Sequence, residues 1–196
     1  MSTIVLATRN KHKILEIKTI LADLAITLLT LDDVPAVPDL KEEGATFQAN
    51  SRQKAKAVFD LAKIPCLADD SGLEVFYLNG RPGVLSARYA GEGTTDEKNN
   101  KRLLVEMLGV PPRRRRAQFR AVLTLVHKNS VETAEGICPG MLAESPRGTN
   151  GFGYDPVFIP DGFLRTYAEL TAEEKNKISH RARALAKMKE ILRRGI

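Results

Sequence analysis

Two adjacent carboxylates, Asp69 and Asp70, stand in the stretch "LADDSGL", directly after an apolar run. Two like charges this close repel each other, and a divalent cation would remove the repulsion by taking the carboxylate oxygens as ligands. Mg²⁺ is usually held by one or two carboxylates together with substrate phosphates. Glu42 and Glu43, in a distant loop, could supply a further oxygen ligand. The alternative is that the acidic pair caps a turn at Ser71–Gly72.

The stretch "ATRNKHK" could bind an anion, because it joins a short buried strand to the start of a helix. Backbone N–H groups at a helix N-terminus attract anions. Thr8 and Asn10 add neutral hydrogen bonds, and Lys11 and Lys13 add the charge that would suit a triphosphate. The alternative is an ordinary turn, capped by Thr8 or Asn10, with both lysines in solvent. Because the stretch is neither a Walker loop nor a dinucleotide fingerprint, both interpretations stay open.

Two later segments offer recognition chemistry. The first, "GTNGFGYDP" (148–156), has three glycines that allow close backbone approach or positive φ. It also carries two rings on which a purine could stack and a hydrogen-bond acceptor: Phe152, Tyr154 and Asp155. The second, "EEKNKISHR" (173–181), places donors at a helix break: Lys175, His180 and Arg181. Taken singly, a tight loop and a solvated helix surface would explain both segments.

The net charge of +6 favours anionic partners, namely nucleic acid, acidic membrane or phosphorylated small molecules. The densest basic cluster, Arg113–Arg116, has no interleaved aromatic residue, so we expect a solvated loop there rather than a nucleic-acid patch. No apolar stretch is long enough for a membrane span. The first residues carry their charges after the apolar run, which argues against a secretory signal. We therefore expect a cytoplasmic protein with Cys66 and Cys138 as buried, reduced thiols.

Apolar periodicity predicts helices and strands that alternate without a strict βαβ rhythm, which is typical of the α/β class with a mixed sheet. Strands are predicted at 3–7, 66–68, 73–78, 117–127, 131–138 and 157–159. Helices are predicted from Ile14, over Thr46–Lys63, from Thr94 to Leu108 and at the C-terminal end. Two capping boxes are predicted, Thr94 with Glu97 and Thr171 with Glu174. The last helix carries its apolar face on Leu185, Met188, Ile191 and Leu192.

Taken together, these segments resemble one family, the inosine triphosphate pyrophosphatases. The motifs "ADDSGL", "GFGYDP" and "EEKNKISHR" are specific in combination. The matching stretches run in family order from residue 4 to the C-terminus. They are "ATRNKHK", "EEGATFQANSRQKA", "LADDSGL", "PGVLSARYAG", "GFGYDPVF", "AELTAEEKNKISHR" and the closing helix.

The resemblance implies a reaction and a fold. Such enzymes use Mg²⁺ to hydrolyse ITP, dITP and XTP between the α- and β-phosphates, releasing the monophosphate and pyrophosphate. The implied fold is α/β, with a mixed, elongated central sheet and flanking helices. It implies a single domain over residues 1–196, with two lobes around a substrate cleft. The implied partners are the nucleotide and a second copy of the chain, with neither a membrane nor a nucleic acid.

The resemblance also implies roles for matching positions. Asp70 would be the catalytic base and a metal ligand. Glu42 would be the second metal ligand, although Glu43 is adjacent. The triphosphate would be bound by Thr8, Arg9, Asn10, Lys11, His12 and Lys13. Further substrate contacts would come from Lys54 and Ser71. The base would be recognised by Phe152, Gly153, Tyr154, Asp155, Lys175, His180 and Arg181.

Two positions depart from the family pattern. Arg9 stands where glycine is common in the first motif, so either the turn does not need glycine's freedom or the loop shifts. Arg9 would also add a cation beside the phosphates. Asn150 stands where glycine is common in the later loop, and asparagine tolerates left-handed φ better than most residues. Neither change removes a reactive group.

Three other functions are compatible with parts of the sequence. A pyrophosphatase of the same fold could act on modified pyrimidine nucleotides, but "GFGYDP" and "SHR" argue against it. A nucleic-acid-binding protein could use Arg113–Arg116, but that function gives no role to Asp70 or Glu42. A nucleotide sensor could bind without turnover, but the intact acidic pair argues against it.

Overall fold

A computed structural model describes residues 2–34, 37–38, 44–128 and 130–195. The strands are β1 (Ser2–Leu6), β2 (Ile26–Leu29), β3 (Cys66–Val75), β4 (Arg116–His127), β5 (Ser130–Leu142) and β6 (Phe158–Pro160). The α-helices are α1 (Lys11–Ile20), α2 (Phe47–Ala62), α3 (Asp96–Glu106), α4 (Ala172–Ile178) and α5 (His180–Arg193). Glu42 and Glu43, predicted to supply the second metal ligand, lie outside the described residues.

The six strands form one sheet in the order β2-β1-β3-β4-β5-β6. β1 runs parallel to both β2 and β3, with Val5 opposite Leu29 on one side and Cys66 on the other. β6 runs antiparallel to β5. Parallel and antiparallel pairs therefore share the sheet, and the predicted α/β class with a mixed sheet and flanking helices is confirmed.

The chain divides into two compact units. The first unit comprises Met1–Asp70, Ala121–Gly136 and Arg181–Ile196. The second comprises Ser71–Arg120 and Ile137–His180. The boundaries pass between Asp70 and Ser71 and between His180 and Arg181, so both predicted site segments contribute residues to each unit.

The first unit has a hydrophobic cluster on each face of its strands. β1 shows why, since successive side chains on a strand point to opposite faces. Ile4 and Leu6 belong to one cluster, which also contains residues of α1 and α5. Val5 and Ala7 belong to the other, which contains residues of α2. The predicted apolar face of the last helix is confirmed: Leu185, Met188 and Leu192 are buried, and Ile191 packs against them.

The second unit has one core, with an aromatic group around Phe119. The Phe119 ring packs edge-on against Phe158, with centroids 4.8 Å apart, and stacks with Tyr167 at 5.7 Å. The imidazole of His180 also packs on it, with its ring almost parallel and the centroids 4.6 Å apart. Apolar side chains of α3 complete this core, so α3 is tied to it along its buried face.

Two local predictions are wrong and one is confirmed. The expected turn at Ser71–Gly72 does not form, because β3 continues without a break to Val75. Leu73 and Val75 are fully buried, so the extended chain gains more there than a turn would. The N-cap of α3 is Thr95, one residue later than predicted. The capping box of α4, formed by Thr171 and Glu174, is confirmed.

The expectation for the cysteines is confirmed, because Cys66 and Cys138 are both buried thiols. Burial raises the pKa of Cys66 to about 12, so this thiol stays protonated at neutral pH. Across the described ranges, no helix combines the length and apolarity needed to cross a membrane.

Candidate active site

The acidic pair lies within β3, and the alternation of the strand sends its two side chains in different directions. Asp69 is buried in the first unit between two cations. Its Oδ1 lies 2.5 Å from Lys13 Nζ, and its Oδ2 accepts a 3.0 Å hydrogen bond from Arg181 Nε. Arg181 also binds Glu16 of α1. Asp69 is therefore held in a buried charge network.

This network keeps Asp69 ionised. Burial acts to raise the pKa of Asp69, but the charges of Arg181 and Lys13 outweigh it and hold the pKa well below its usual range. Arg181 is also kept charged. Burial acts to lower its pKa, but the charges of Asp69 and Glu16 outweigh burial and raise the pKa of Arg181. A carboxylate bound this strongly by cations is a poor proton acceptor.

Asp70 has a different partner. It is 5% exposed, and its Oδ1 lies 3.4 Å from the ammonium group of Lys54. Lys54 also donates a 2.8 Å hydrogen bond to the backbone carbonyl of Asp69. Lys54 reaches this position because it lies on the buried face of α2, with Ser51 and Val58 at helical spacing. Asp70 thus remains the member of the pair that is suited to exchanging a proton or binding a cation.

The donor set around Asp70 fits a hard cation such as Mg²⁺, which prefers carboxylate oxygen. Among the described residues, no group of three or more His, Cys, Asp or Glu side chains could form a complete metal cage. Mg²⁺ does not need one, because it commonly uses one or two carboxylates and completes its shell with water and substrate phosphates. A single buried Asp70 carboxylate is therefore compatible with such an ion.

At the start of α1, Asn10 is the N-cap. Its Oδ1 accepts hydrogen bonds from the backbone N–H groups of His12 and Lys13, at 3.0 and 3.1 Å. Thr8 supports the turn by accepting from the Asn10 N–H at 3.2 Å. Lys11 and His12 are exposed, whereas Lys13 turns inward to Asp69. The alternative interpretation is therefore correct for the cap, and wrong in placing Lys13 in solvent.

The structure explains how Arg9 can stand where glycine is common in the family pattern. Lys63 and Asn79 are the non-glycine residues with positive φ in the described ranges, so Arg9 needs no left-handed backbone. Its guanidinium donates a 2.7 Å hydrogen bond to the carbonyl of Val37. Asn150 likewise needs no left-handed backbone, and its amide donates to the carbonyl of Leu170 at 3.0 Å.

The second unit contains a segment that we call the glycine turn, residues 148–155. Its buried centre is Asp155, whose Oδ2 accepts from the Phe152 N–H at 2.9 Å and lies 2.5 Å from Lys175 Nζ. Lys175 also lies 4.7 Å from the centroid of the Phe152 ring. The structure therefore brings together three of the residues predicted to recognise a base: Phe152, Asp155 and Lys175.

Gly151 explains why this turn is rich in glycine. Its φ is +77°, and a Cβ atom there would lie 2.0 Å from Asp155 Oδ2. Tyr154 faces the core, where its hydroxyl donates to the carbonyl of Ser86 at 2.9 Å. Tyr154 is therefore a structural anchor of the turn, whereas Phe152 is only partly buried.

Two other predicted base-site residues, His180 and Arg181, belong to different units. His180 lies in the second unit, stacked on Phe119. Arg181, the next residue, belongs to the first unit and is bound to Asp69 and Glu16. Ser71 follows Asp70 in β3 and is partly buried.

Two residues outside the predicted motifs contact the glycine turn, Asp96 and Asn100. Asp96 Oδ2 accepts from the Gly153 N–H at 2.6 Å, and Asn100 Nδ2 donates to the Gly153 carbonyl at 2.8 Å. The available signal was their spacing, because polar residues at i and i+4 share one face of a helix.

The arginine cluster is more ordered than predicted. Arg113 and Arg114 are exposed, as expected of a solvated loop. Arg115 contradicts that expectation: it is 4% exposed and donates to the carbonyls of Met107, Leu142 and Ala143. Arg116 forms a two-pronged ion pair with Asp161. Arg115 thus serves a structural role, which leaves two arginines for any external partner.

Comparisons with known proteins agree with these features. The model of the Ham1 family matches residues 4–191. A dITP/XTP pyrophosphatase of Geobacter sulfurreducens is 48% identical over 193 residues, which are 98% of this chain and 97% of the relative. A dITP/XTP pyrophosphatase of Geobacillus kaustophilus is 47% identical over 191 residues, which are 97% of this chain and 94% of the relative.

Solved structures give the same result. A Ham1 protein from Coxiella burnetii matches with a TM-score of 0.91 at 39% identity, over 100% of both chains. The Ham1 protein of Staphylococcus aureus matches with a TM-score of 0.88 at 37% identity, over 98% of both chains. The resemblance inferred from the motifs is confirmed, and this chain belongs to the Ham1 family.

Proposed function

We propose that this chain hydrolyses the deaminated purine nucleotides ITP, dITP and XTP to their monophosphates and pyrophosphate. The names of its relatives support this activity. One structural observation carries the chemistry: Asp69 is held between Lys13 and Arg181, whereas its neighbour Asp70 is next to Lys54. One carboxylate can therefore organise the site while the other reacts.

In this mechanism Asp70 accepts a proton from the water that attacks the α-phosphorus. A positioned base of this kind typically accelerates a reaction by about 10²–10⁴-fold. Lys54 holds the Asp70 carboxylate and adds positive charge. Lys11, exposed at the start of α1, and Lys13 add charge for the triphosphate.

We further propose that Mg²⁺ is the cofactor. Asp70 would hold it, and Glu42, outside the described residues, is the predicted second ligand. When bound, Mg²⁺ would neutralise charge on the phosphates and on the leaving pyrophosphate. The oxygen chemistry of Asp70 supports this ion over softer metals.

Base recognition is assigned to the second unit. The partly buried Phe152 ring offers a stacking face, and the ammonium group of Lys175 can only donate hydrogen bonds. Hypoxanthine and xanthine present an O6 acceptor, whereas adenine presents an amino group at that position. A donor facing an amino group leaves polar groups unsatisfied, which costs about 1–3 kcal/mol each. Lys175 therefore favours the deaminated bases over adenine.

We also propose the broader setting predicted from the sequence. It comprises one pyrophosphatase domain over residues 1–196, a homodimer and a cytoplasmic location. The family resemblance supports the domain and the dimer. Light scattering of the purified chain at several concentrations would test the dimer directly.

The first test is pyrophosphate release by the purified protein with Mg²⁺. ITP, dITP and XTP should be cleaved well, and ATP, GTP, dTTP and dUTP poorly. Equal release from all triphosphates, or a preference for pyrimidines, would contradict the base assignment. No release from any of them would refute the enzyme function and favour a nucleotide sensor.

The second test replaces the proposed base. Asp70→Asn should still bind the nucleotide and lose about 10²–10⁴-fold in turnover, because the amide cannot accept the proton. Asp60→Asn is the matched control, since Asp60 is an exposed carboxylate of α2 in the same unit. Near-normal turnover in Asp70→Asn would remove Asp70 from the mechanism.

A further inference from the structure

We propose that Asp96 and Asn100 of α3 are positioning residues that hold the glycine turn, and with it Phe152, in the conformation that recognises the base. This inference rests on the proposed function and adds to it a specificity device outside the predicted motifs. Both residues act through the backbone of Gly153, and we assign neither a contact with substrate.

The turn needs such support because of its own composition. Phe152 stands between Gly151, with φ +77°, and Gly153, with φ +62°. Glycine adopts this left-handed backbone readily, but it adopts many other conformations almost as readily. The conformation of Phe152 must therefore be selected by contacts from outside the two glycines.

Those contacts come from two directions. On one side, Asp155 accepts the Phe152 N–H and pairs with Lys175. On the other side, α3 binds both backbone groups of Gly153: Asp96 accepts its N–H at 2.6 Å, and Asn100 donates to its carbonyl at 2.8 Å. A hydrogen bond to a charged carboxylate is stronger than one between neutral groups. The peptide groups on both sides of Gly153 are thus fixed to one rigid helix.

Tyr154 of the turn and Leu103 of α3 share the apolar core of this unit, and the two hydrogen bonds to Gly153 add a polar link between the same two elements. A cavity of about 660 Å³ lies beside the turn, and α3 lines it together with the turn itself. Asn100, Phe152 and Gly153 are all among its lining residues. The two hydrogen bonds to Gly153 therefore hold the turn to α3 beside this cavity. Their loss would let Phe152 move toward the cavity.

The kinetic test compares Asp96→Ala and Asn100→Ala with wild type on dITP, XTP and ATP. Each change should raise KM for dITP and XTP by about fivefold to tenfold, the loss expected for one hydrogen bond, with a smaller change in kcat. Preference for dITP over ATP should fall in parallel, because Phe152 and Lys175 are both held by the turn through Asp155. The double variant should lose less than the product of the two single losses, because both bonds hold the same residue.

Two controls separate positioning from general stability. Glu97→Ala removes the neighbouring first-turn carboxylate of α3, and with it a similar favourable interaction with the helix dipole. Asn99→Ala removes a buried amide of the same helix that binds Ala90 and Ala87 instead of the turn. Equal loss of specificity in the controls, or losses in all variants that follow only their Tm, would overturn the proposal.

A measurement without substrate keeps the proposal testable if the proposed function fails. Hydrogen–deuterium exchange should show the Gly153 amide protected in wild type and exchanging faster in Asp96→Ala, with little change in Glu97→Ala. Asp96 is exposed, so this variant should fold even if Asn100→Ala does not. Unchanged exchange at Gly153 would overturn the positioning role. Faster exchange together with no turnover in wild type would refute the proposed function alone.

Discussion

At the scale of single residues, the fate of Asp69 and Asp70 depends on the charges that surround each of them. Asp69 has no exposed side-chain surface and binds two cations, one of which, Arg181, is itself 1% exposed. Asp70 lies beside one lysine that also binds a backbone carbonyl. The first arrangement is a buried ion network, and the second places a carboxylate 3.4 Å from the ammonium group of a buried lysine. Substitution of Asp69 and substitution of Asp70 should therefore affect different properties of the protein, although the two residues are adjacent and identical.

We predict that substitution of Asp69 mainly reduces stability and that substitution of Asp70 mainly reduces turnover. Asp69→Asn should lower the free energy of unfolding by about 3–5 kcal/mol, because Lys13 and Arg181 lose their shared counter-charge in a buried site. Asp70→Asn should destabilise the protein less and reduce turnover more. Denaturant unfolding of both variants would measure the loss of stability, and pyrophosphate release would measure the loss of turnover. An equal loss of stability in both variants would contradict the assigned roles.

At the scale of elements, the glycine turn needs glycine for two reasons: its backbone has positive φ, and it leaves no room for a Cβ atom at Gly151. Gly151 has positive φ, and a Cβ there would meet the carboxylate of Asp155. Gly162 of the same unit also has positive φ, but a Cβ there would meet no atom within 4 Å. A substitution at Gly162 therefore tests the backbone alone, and one at Gly151 tests backbone and contact together.

We predict that Gly162→Ala loses about 1–2 kcal/mol of stability, the usual cost of a left-handed residue with a Cβ. Gly151→Ala should lose more, because Asp155 must also move away from Lys175 and from the Phe152 N–H. It should also raise KM for dITP and XTP, which Gly162→Ala should not do. Thermal unfolding and steady-state kinetics would show this. Equal effects at the two positions would mean that the Asp155 contact is unimportant.

Elements with strong periodicity could be predicted from the sequence. The helical spacing around Lys54 predicted α2, and alternation predicted β4 and β5, because burial of one face determines each pattern. Ser71 and Gly72 are residue types common in turns, and a strand break was therefore predicted there. The prediction was wrong because burial of Leu73 and Val75 keeps the strand extended. Local composition could not reveal that burial.

The candidate site was only partly predictable for a related reason. Its chemically active residue types were visible in the motifs, but their partners were not. Arg181 and Asp69 are 112 positions apart, so no local spacing could indicate their pairing. The same holds for Asn100 and Gly153, which are 53 positions apart. Such pairs depend on how the whole chain folds.

At the scale of the whole molecule, the net charge of +6 had left nucleic-acid binding as an alternative through Arg113–Arg116. In the structure, two of these four arginines are bound within the chain. Arg115 is bound to backbone carbonyls, and Arg116 is paired with Asp161. Arg114 lies 4.7 Å from the centroid of the Tyr77 ring, a contact that adds a modest cation–π attraction. A reversal of all four charges would therefore disrupt the fold and test nothing about a partner.

The informative variant is Arg113→Glu with Arg114→Glu, because both side chains are exposed. We predict a loss of stability of about 1 kcal/mol or less, from the Arg114–Tyr77 contact. Pyrophosphate release from dITP should be unchanged, since neither residue belongs to the proposed site. Arg52→Glu with Lys56→Glu, two exposed positions of α2, reverses the same amount of charge elsewhere. Affinity for single-stranded DNA, measured over a range of salt concentrations, decides between the functions. A nucleic-acid site at Arg113 and Arg114 would lose affinity and salt dependence in the first variant only. Weak binding that falls equally in both variants reflects net charge alone, which is the outcome expected of a nucleotide hydrolase with a basic surface.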